Sequence, residues 1–252
     1  MAIPSIPHRP NICLRKIKPS DLTTLERLHT DIFPIRYESE FFQSVIKNRD
    51  IVSWAAVDRN RPNGQGDELI GFVTARVVLV KESDVGDFIK YYPGKPDETL
   101  VYILTLGVVS SYRNHGIATS LVKEVIKFAS SISTCRALYL HVISYNAPAI
   151  NFYKKMSFKC VRQLRGFYLI SGQHYDSYLF VYYLHGGRSP CSPLWFVSTA
   201  ISSVKNGLQS FAAKMRKEEK TQRWPKCKES HSLMSIHVKR STSGELSNYE
   251  CV

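Results

Sequence analysis

No stretch of the 252-residue chain reaches 18 consecutive apolar residues, so a membrane-spanning helix is not expected. The first ten residues carry three prolines and no apolar run, which argues against a secretory signal. Neither an N-terminal Met-Gly nor a C-terminal prenylation motif is present. The Gly-Lys-Ser/Thr of a nucleotide-phosphate loop is missing, as is the GxGxxG dinucleotide fingerprint. Six cysteines (Cys13, Cys135, Cys160, Cys191, Cys227 and Cys251) show no CxxC spacing and form no compact framework. They read as reduced thiols of an intracellular protein, and no metal site is expected. No internal repeat is visible.

What the chain has in excess is positive charge. Its 34 Lys and Arg outweigh 21 Asp and Glu, a net of +13. Such a surplus implies affinity for an acidic ligand: a nucleotide cofactor, a nucleic acid or an anionic membrane. The excess is densest toward the end, where residues 186–252 carry eleven basic and five acidic side chains. That segment needs an explanation of its own.

Apolar periodicity divides the rest into alternating elements. A strand is read at residues 12–17. Pro19-Ser20-Asp21 starts a helix carrying Leu22, Leu25, Leu28 and Ile32 at helical spacing. A second helix covers 38–47. Strands follow at 51–57 and 69–80, separated by a turn rich in Gly, Pro and Asn over 60–67. Residues 81–98 form a long polar loop, and 99–109 an almost wholly apolar strand of the kind buried on both faces. A helix from Gly116 to about Ser130, a strand at 137–143, and a helix capped by Asn146 with Pro148 in its first turn come next. Strands at 158–164 and 175–184 close the domain. The fold class is therefore α/β, a mixed sheet of about seven strands flanked by helices.

The sharpest local signal is the step from the buried strand into Arg113-Asn114-His115-Gly116-Ile117-Ala118. Gly116 and Ala118 are small where backbone must approach a ligand, and the N–H groups entering the helix are available to an anion. Alone, this pattern reads better as a plain strand–helix connection. Between a buried strand and an amphipathic helix it reads as an anion site.

Here the chain resembles the GCN5-related N-acetyltransferase (GNAT) superfamily, whose pyrophosphate loop follows Arg/Gln-x-x-Gly-x-Gly/Ala. Further blocks carry the likeness toward the NatF-type N-terminal acetyltransferases: Phe33-Pro34-Ile35-Arg36-Tyr37, Tyr102 through Val109, Leu138-Tyr139-Leu140-His141-Val142 and Ala149-Ile150-Asn151-Phe152-Tyr153. The resemblance spans about residues 12–187. It implies acetyl-CoA as co-substrate, without a metal and without a covalent enzyme intermediate. Tyr102 and His141 match the catalytic bases. His titrates near neutral pH, whereas Tyr, with a pKa of about 10, needs a tuned setting or a water. A packed core histidine and a sheet-packing tyrosine are the competing readings. Backbone groups of Leu106, Gly107 and Val108 would carry the pantetheine and the acetyl oxygen. Asn114, His115, Gly116, Ile117, Ala118 and Thr119 would take the pyrophosphate. Asn146 and Tyr153 match positions near the thiol, where Tyr153 could protonate the departing thiolate or merely pack. Tyr37, Leu104 and Tyr168, the last in the segment between the closing strands, would line a tunnel for the substrate's first residues.

The resemblance implies proteins as substrates, starting Met-Leu, Met-Ile, Met-Phe or Met-Lys, with lysine and histone acetylation as a second activity. Arg36 departs from the acidic residue usual in the animal enzymes, and the loop at 60–67 is longer. Beyond the domain, Val197, Ile201, Val204, Leu208, Phe211 and Met215 recur at spacings of four and three among basic residues. This reads as an amphipathic helix, either docked on the domain or lying on an anionic membrane; the resemblance favours the membrane. The chain then divides into a flexible 1–11, the acetyltransferase domain 12–187, a basic amphipathic membrane-binding region 188–229 and a disordered 230–252. The expected setting is the cytosolic face of plasma membrane or Golgi with a minor cytosolic pool. The expected state is a monomer or weak dimer without auxiliary subunit or nucleic acid. Two other functions fit less of the pattern: a lysine- or small-amine-specific acetyltransferase, and a non-enzymatic basic module binding membrane or nucleic acid.

Overall fold

A computed structural model describes residues 10–60, 66–83, 85 and 98–187. The expected tail helix, the disordered end and most of the flexible N-terminus lie outside these residues. Seven strands form one sheet in the order β1-β2-β3-β4-β5-β7-β6. They are β1 (Ile12–Arg15), β2 (Val52–Asp58), β3 (Glu68–Leu79), β4 (Thr99–Val108), β5 (Cys135–Ile143), β6 (Lys159–Ile170) and β7 (Gln173–Tyr183). All neighbours pair antiparallel except β4 and β5, which are parallel and joined through α3 (Ile117–Ser131). The mixed sheet read from sequence is the one observed.

Helices cover both faces, each by its apolar stripe. The stripe Ile117, Leu121, Val122, Val125 and Ala129 of α3 is buried with Ala149 and Tyr153 of α4 (Ala147–Lys155) against Val101, Ile103 and Leu138. Leu25, Leu28 and Ile32 of α1 (Leu22–Ile32) join Phe42 and Val45 of α2 (Ser39–Ile46) over Val57 and Phe72. Each such fully buried side chain contributes on the order of 2 kcal/mol.

Local chemistry sets the helix starts. Asn146 caps α4 as expected: its Oδ1 accepts the Ala149 N–H at 3.1 Å, with Pro148 in the first turn. Pro19–Asp21 forms a short 3-10 turn before α1. The Asp21 carboxylate there takes the Arg15 guanidinium in two bonds, at 2.6 and 2.9 Å, and the Lys18 N–H at 2.7 Å, so it ties the helix start to β1 while closing the turn.

Two features depart from the sequence reading. β6 runs on to Ile170 and turns directly into β7 through Ser171 and Gly172, at φ 50 and 81°. Tyr168, expected between the closing strands, therefore lies within β6, paired with Tyr175. The pattern concealed this because the register slips twice along β6, the second time between Leu164 and Tyr168, where Gly166 takes φ 61°.

Candidate active site

The site begins where two parallel strands part. Among the described residues the β4–β5 ladder ends at Tyr102 and Tyr139. Beyond it β4 stays paired with β3 as far as Val108, and β5 with β7 as far as Ile143. The diverging edges open a cleft whose walls include Leu104, Thr105 and Leu106 from β4 and His141, Val142 and Ile143 from β5. A bulge sharpens the opening. Thr74 faces Thr105 while Ala75 faces Ile103, so Leu104 is the extra residue and β4 bends there. The buried Thr74 and Thr105 hydroxyls, 2.7 Å apart, fasten the bend. Backbone groups on this edge have no neighbouring strand, and a ligand bearing amides can pair with them.

The glycine on this edge is sterically required. A β-carbon at Gly107 would sit 2.6 Å from the Phe72 ring. Gly107 and Val108 are buried, so what they offer a ligand is backbone.

At the end of β4 a 3-10 turn, Ser110–Tyr112, leads into the anion loop. Asn114 and Gly116 are left-handed, at φ 64 and 75°, and with His115 they are exposed. Ile117 and Ala118 bury their side chains in the core and Thr119 is half-buried, leaving their N–H groups in the first turn of α3. The first intrahelical bond, Ser120 N–H to Gly116 carbonyl at 3.0 Å, comes after them. Open space lies where a Gly116 β-carbon would point. Successive N–H groups beside left-handed residues at a helix start form an anion cradle, and these residues fit a pyrophosphate. Arg113 spends its Nε–H on the Val108 carbonyl at 3.2 Å, and the His115 ring bonds the Arg113 carbonyl at 2.8 Å. Both lock the loop's shape.

A further wall is mostly aromatic. Phe33, Tyr37, Tyr168 and Ile170 line it, beside Leu104 of β4. Behind it, buried His29 of α1 stacks on Phe72 at 4.3 Å and meets Tyr37 and Phe41 edge-on. Its Nδ1–H donates to the Leu25 carbonyl at 2.9 Å. Burial pushes the His29 pKa down to about 4, so it is a neutral core residue.

Tyr102 and His141 are joined: the phenol oxygen and His141 Nδ1 lie 3.1 Å apart. His141 lines the cleft and Tyr102 reaches it through this bond. Tyr139 stacks on Tyr102 at 4.6 Å, and Phe167 stacks on the His141 ring at 4.4 Å. The Tyr168 hydroxyl donates to the His141 carbonyl at 3.3 Å, and burial, with Tyr102 and Tyr37 nearby, holds Tyr168 protonated. Such a pair can accept a proton and pass it on. Asn146 and the buried Tyr153 line the cleft's other side. The cap consumes Asn146 Oδ1, which leaves its amide N–H groups as donors.

Every side chain expected at the site, other than those offering backbone, is thus brought to the cleft or its loop. Tyr139, Phe167 and Thr105 were not foreseen. The first two act through stacking that depends on strand register, and Thr105 through a bulge. The only advance signal was their place within or near the matched blocks.

Comparisons with known proteins identify the family. The model of the acetyltransferase (GNAT) family matches residues 22–158. The chain is 57% identical over 221 residues to a protein named histone acetyltransferase MCC1 from Arabidopsis thaliana, covering 87% of this chain and 90% of that one. It is 32% identical to N-alpha-acetyltransferase 60 of Xenopus tropicalis, covering 79% of each chain. A crystal structure of Arabidopsis thaliana NAA60 in complex with acetyl-CoA superposes with a TM-score of 0.67 at 64% identity, over 70% of this chain and 100% of that one.

Proposed function

The chain belongs to the acetyltransferase (GNAT) family as an N-alpha-acetyltransferase of the NatF type, and from that premise we propose that it acetylates proteins retaining an N-terminal methionine before an apolar or amphipathic residue. Acetyl-CoA is its co-substrate and supplies the activated thioester. The observation that carries the substrate reading is the apolar, aromatic wall of Phe33, Tyr37, Leu104, Tyr168 and Ile170, which suits a methionine side chain.

The chain's own residues then divide the work. The Asn114–Thr119 loop holds the pyrophosphate, and the β4 edge orients the pantetheine arm. The substrate ammonium must lose a proton before its nitrogen can attack, and the Tyr102–His141 pair accepts it. The Phe167 stack fixes the imidazole's plane. Tyr153 stands at the thiol side to return a proton to the leaving group. The aromatic wall keeps water from this side of the cleft, which strengthens each of these contacts.

The basic segment after residue 188 supports a further reading: an amphipathic helix that places the enzyme on the cytosolic face of plasma membrane or Golgi, near membrane-protein N-termini. The relative named for histones favours lysine acetylation as a second activity.

One experiment tests both levels. Purified full-length protein and a chain ending at residue 187 are given acetyl-CoA and peptides beginning Met-Leu, Met-Lys or Ser-Glu, and a blocked peptide with one internal lysine. Fast transfer to the Met-starting peptides is expected from both chains. Sedimentation with anionic vesicles is expected of the full-length chain alone. Equal rates on the Ser-Glu peptide would overturn the substrate reading; equal sedimentation would overturn the membrane reading.

A further inference from the structure

The loop that holds the pyrophosphate is strained and exposed, yet most of its recorded hydrogen bonds are local. Tyr112 N–H bonds the Val109 carbonyl, Arg113 N–H the Ser110 carbonyl, and the Arg113 and His115 side chains bond carbonyls of Val108 and Arg113. Asn114 is held left-handed without being a glycine, and such a residue persists where the surroundings over-determine the loop. Local bonds move with the loop and cannot fix its place.

One side chain reaches out. Tyr112, the residue immediately before Arg113, donates its hydroxyl to Asp58 Oδ2 at 3.1 Å, 54 positions away. Asp58 ends β2 and is fully buried. Its Oδ1 accepts the Asn11 N–H at 2.9 Å and the Asn60 N–H at 3.0 Å. The carboxylate thus gathers the start of β1, the end of β2 and the entrance to the anion loop at one point. A buried carboxylate is costly unless it is hydrogen-bonded on both oxygens, as this one is.

We propose that Asp58 and Tyr112 form a tether that sets the position of the pyrophosphate loop, which makes both of them positioning residues for acetyl-CoA. The proposal rests on residues Asn114–Thr119 being the pyrophosphate site. It carries a sign that charge alone reverses. A carboxylate behind an anion site repels the anion, so if Asp58 acted only by charge, Asp58→Ala would tighten CoA binding. A tether predicts weaker binding, because alanine offers no acceptor and releases Tyr112, whereas an asparagine amide could donate to the Tyr112 oxygen and keep the tether.

The test uses the full-length protein, with the CoA dissociation constant read by calorimetry and transfer rates read with acetyl-CoA and with S-acetylpantetheine, which lacks the pyrophosphate. Tyr112→Phe removes only the hydroxyl and keeps the ring in the core. It should raise the CoA dissociation constant and the KM for acetyl-CoA roughly 5- to 10-fold, leave kcat within twofold and leave kcat/KM for S-acetylpantetheine unchanged. Asp58→Ala should act in the same direction. Gly116→Val, which forces the loop out of its left-handed turn, should abolish CoA binding. Tighter binding in Asp58→Ala, or equal slowing with both donors in Tyr112→Phe, would overturn the tether. Normal CoA binding in Gly116→Val would instead overturn the assignment of the loop.

Discussion

The two walls of the cleft are built from different materials. The cofactor side is mostly backbone: a bent strand edge, small residues and the first turn of a helix. The substrate side is mostly aromatic side chain, hung from the α1–α2 region and the β6–β7 hairpin. Backbone recognition serves any chain that can form a strand, a left-handed turn and a helix, so it specifies a ligand common to a family. Side-chain recognition depends on ring identities and register, so it specifies one enzyme's substrates. The division implies that the two functions can be damaged separately.

The largest effect is expected where the walls meet. His141→Ala should lower kcat by about 10²- to 10³-fold, the usual contribution of a general base, while the CoA dissociation constant stays within about twofold. Single-turnover rates and calorimetry report the two quantities. A kcat near the native value would remove His141 from the chemistry.

Acid should attack the substrate wall, because that wall is hung on His29. Its pKa is near 4 in the folded protein and near 6.5 in an unfolded chain, so folding favours the neutral ring. The resulting stability is fully present above pH 6.5 and is lost as pH falls toward 4. The loss over that window is about 3 kcal/mol. Urea midpoints taken between pH 7 and 4.5 should fall less steeply in His29→Phe than in the native protein; identical slopes would refute the assignment.

The smallest effects are a reciprocal pair. Tyr37→Ala should raise KM for a Met-Leu peptide roughly tenfold without changing CoA affinity, as expected for losing one aromatic contact. Gly116→Ala, strained at φ 75°, should weaken CoA about fivefold without changing peptide KM. If either variant moves both constants equally, the walls are not independent.

The same division explains what could be read in the sequence. The order of elements and the anion loop were legible because apolar period, the Asn146–Pro148 cap and Gly116 are local signals. Tyr102 and His141 were legible as neighbours because β4 and β5 are parallel strands joined through one helix, and such strands commonly lie side by side. The end of β6 was not: Arg162, Gln163 and Arg165 are exposed on an edge strand, and Gly166 breaks the alternation just before Phe167 and Tyr168. The stacking of Phe167 on His141 and of Tyr139 on Tyr102 exists only once register is set, and no spacing along the chain encodes it.

The parting of β4 and β5 has a consequence for how long the protein survives. Unpaired strand edges are where a fold exchanges its amide hydrogens and opens first. A ligand that fills the seam in the native chain and not in the unfolded one protects it by RT ln(1 + [L]/Kd), about 2.7 kcal/mol at a hundredfold excess over Kd. Coenzyme A and its thioesters are therefore expected to set the lifetime of the folded chain as well as its rate, read as a higher melting temperature and slower proteolysis when they are bound.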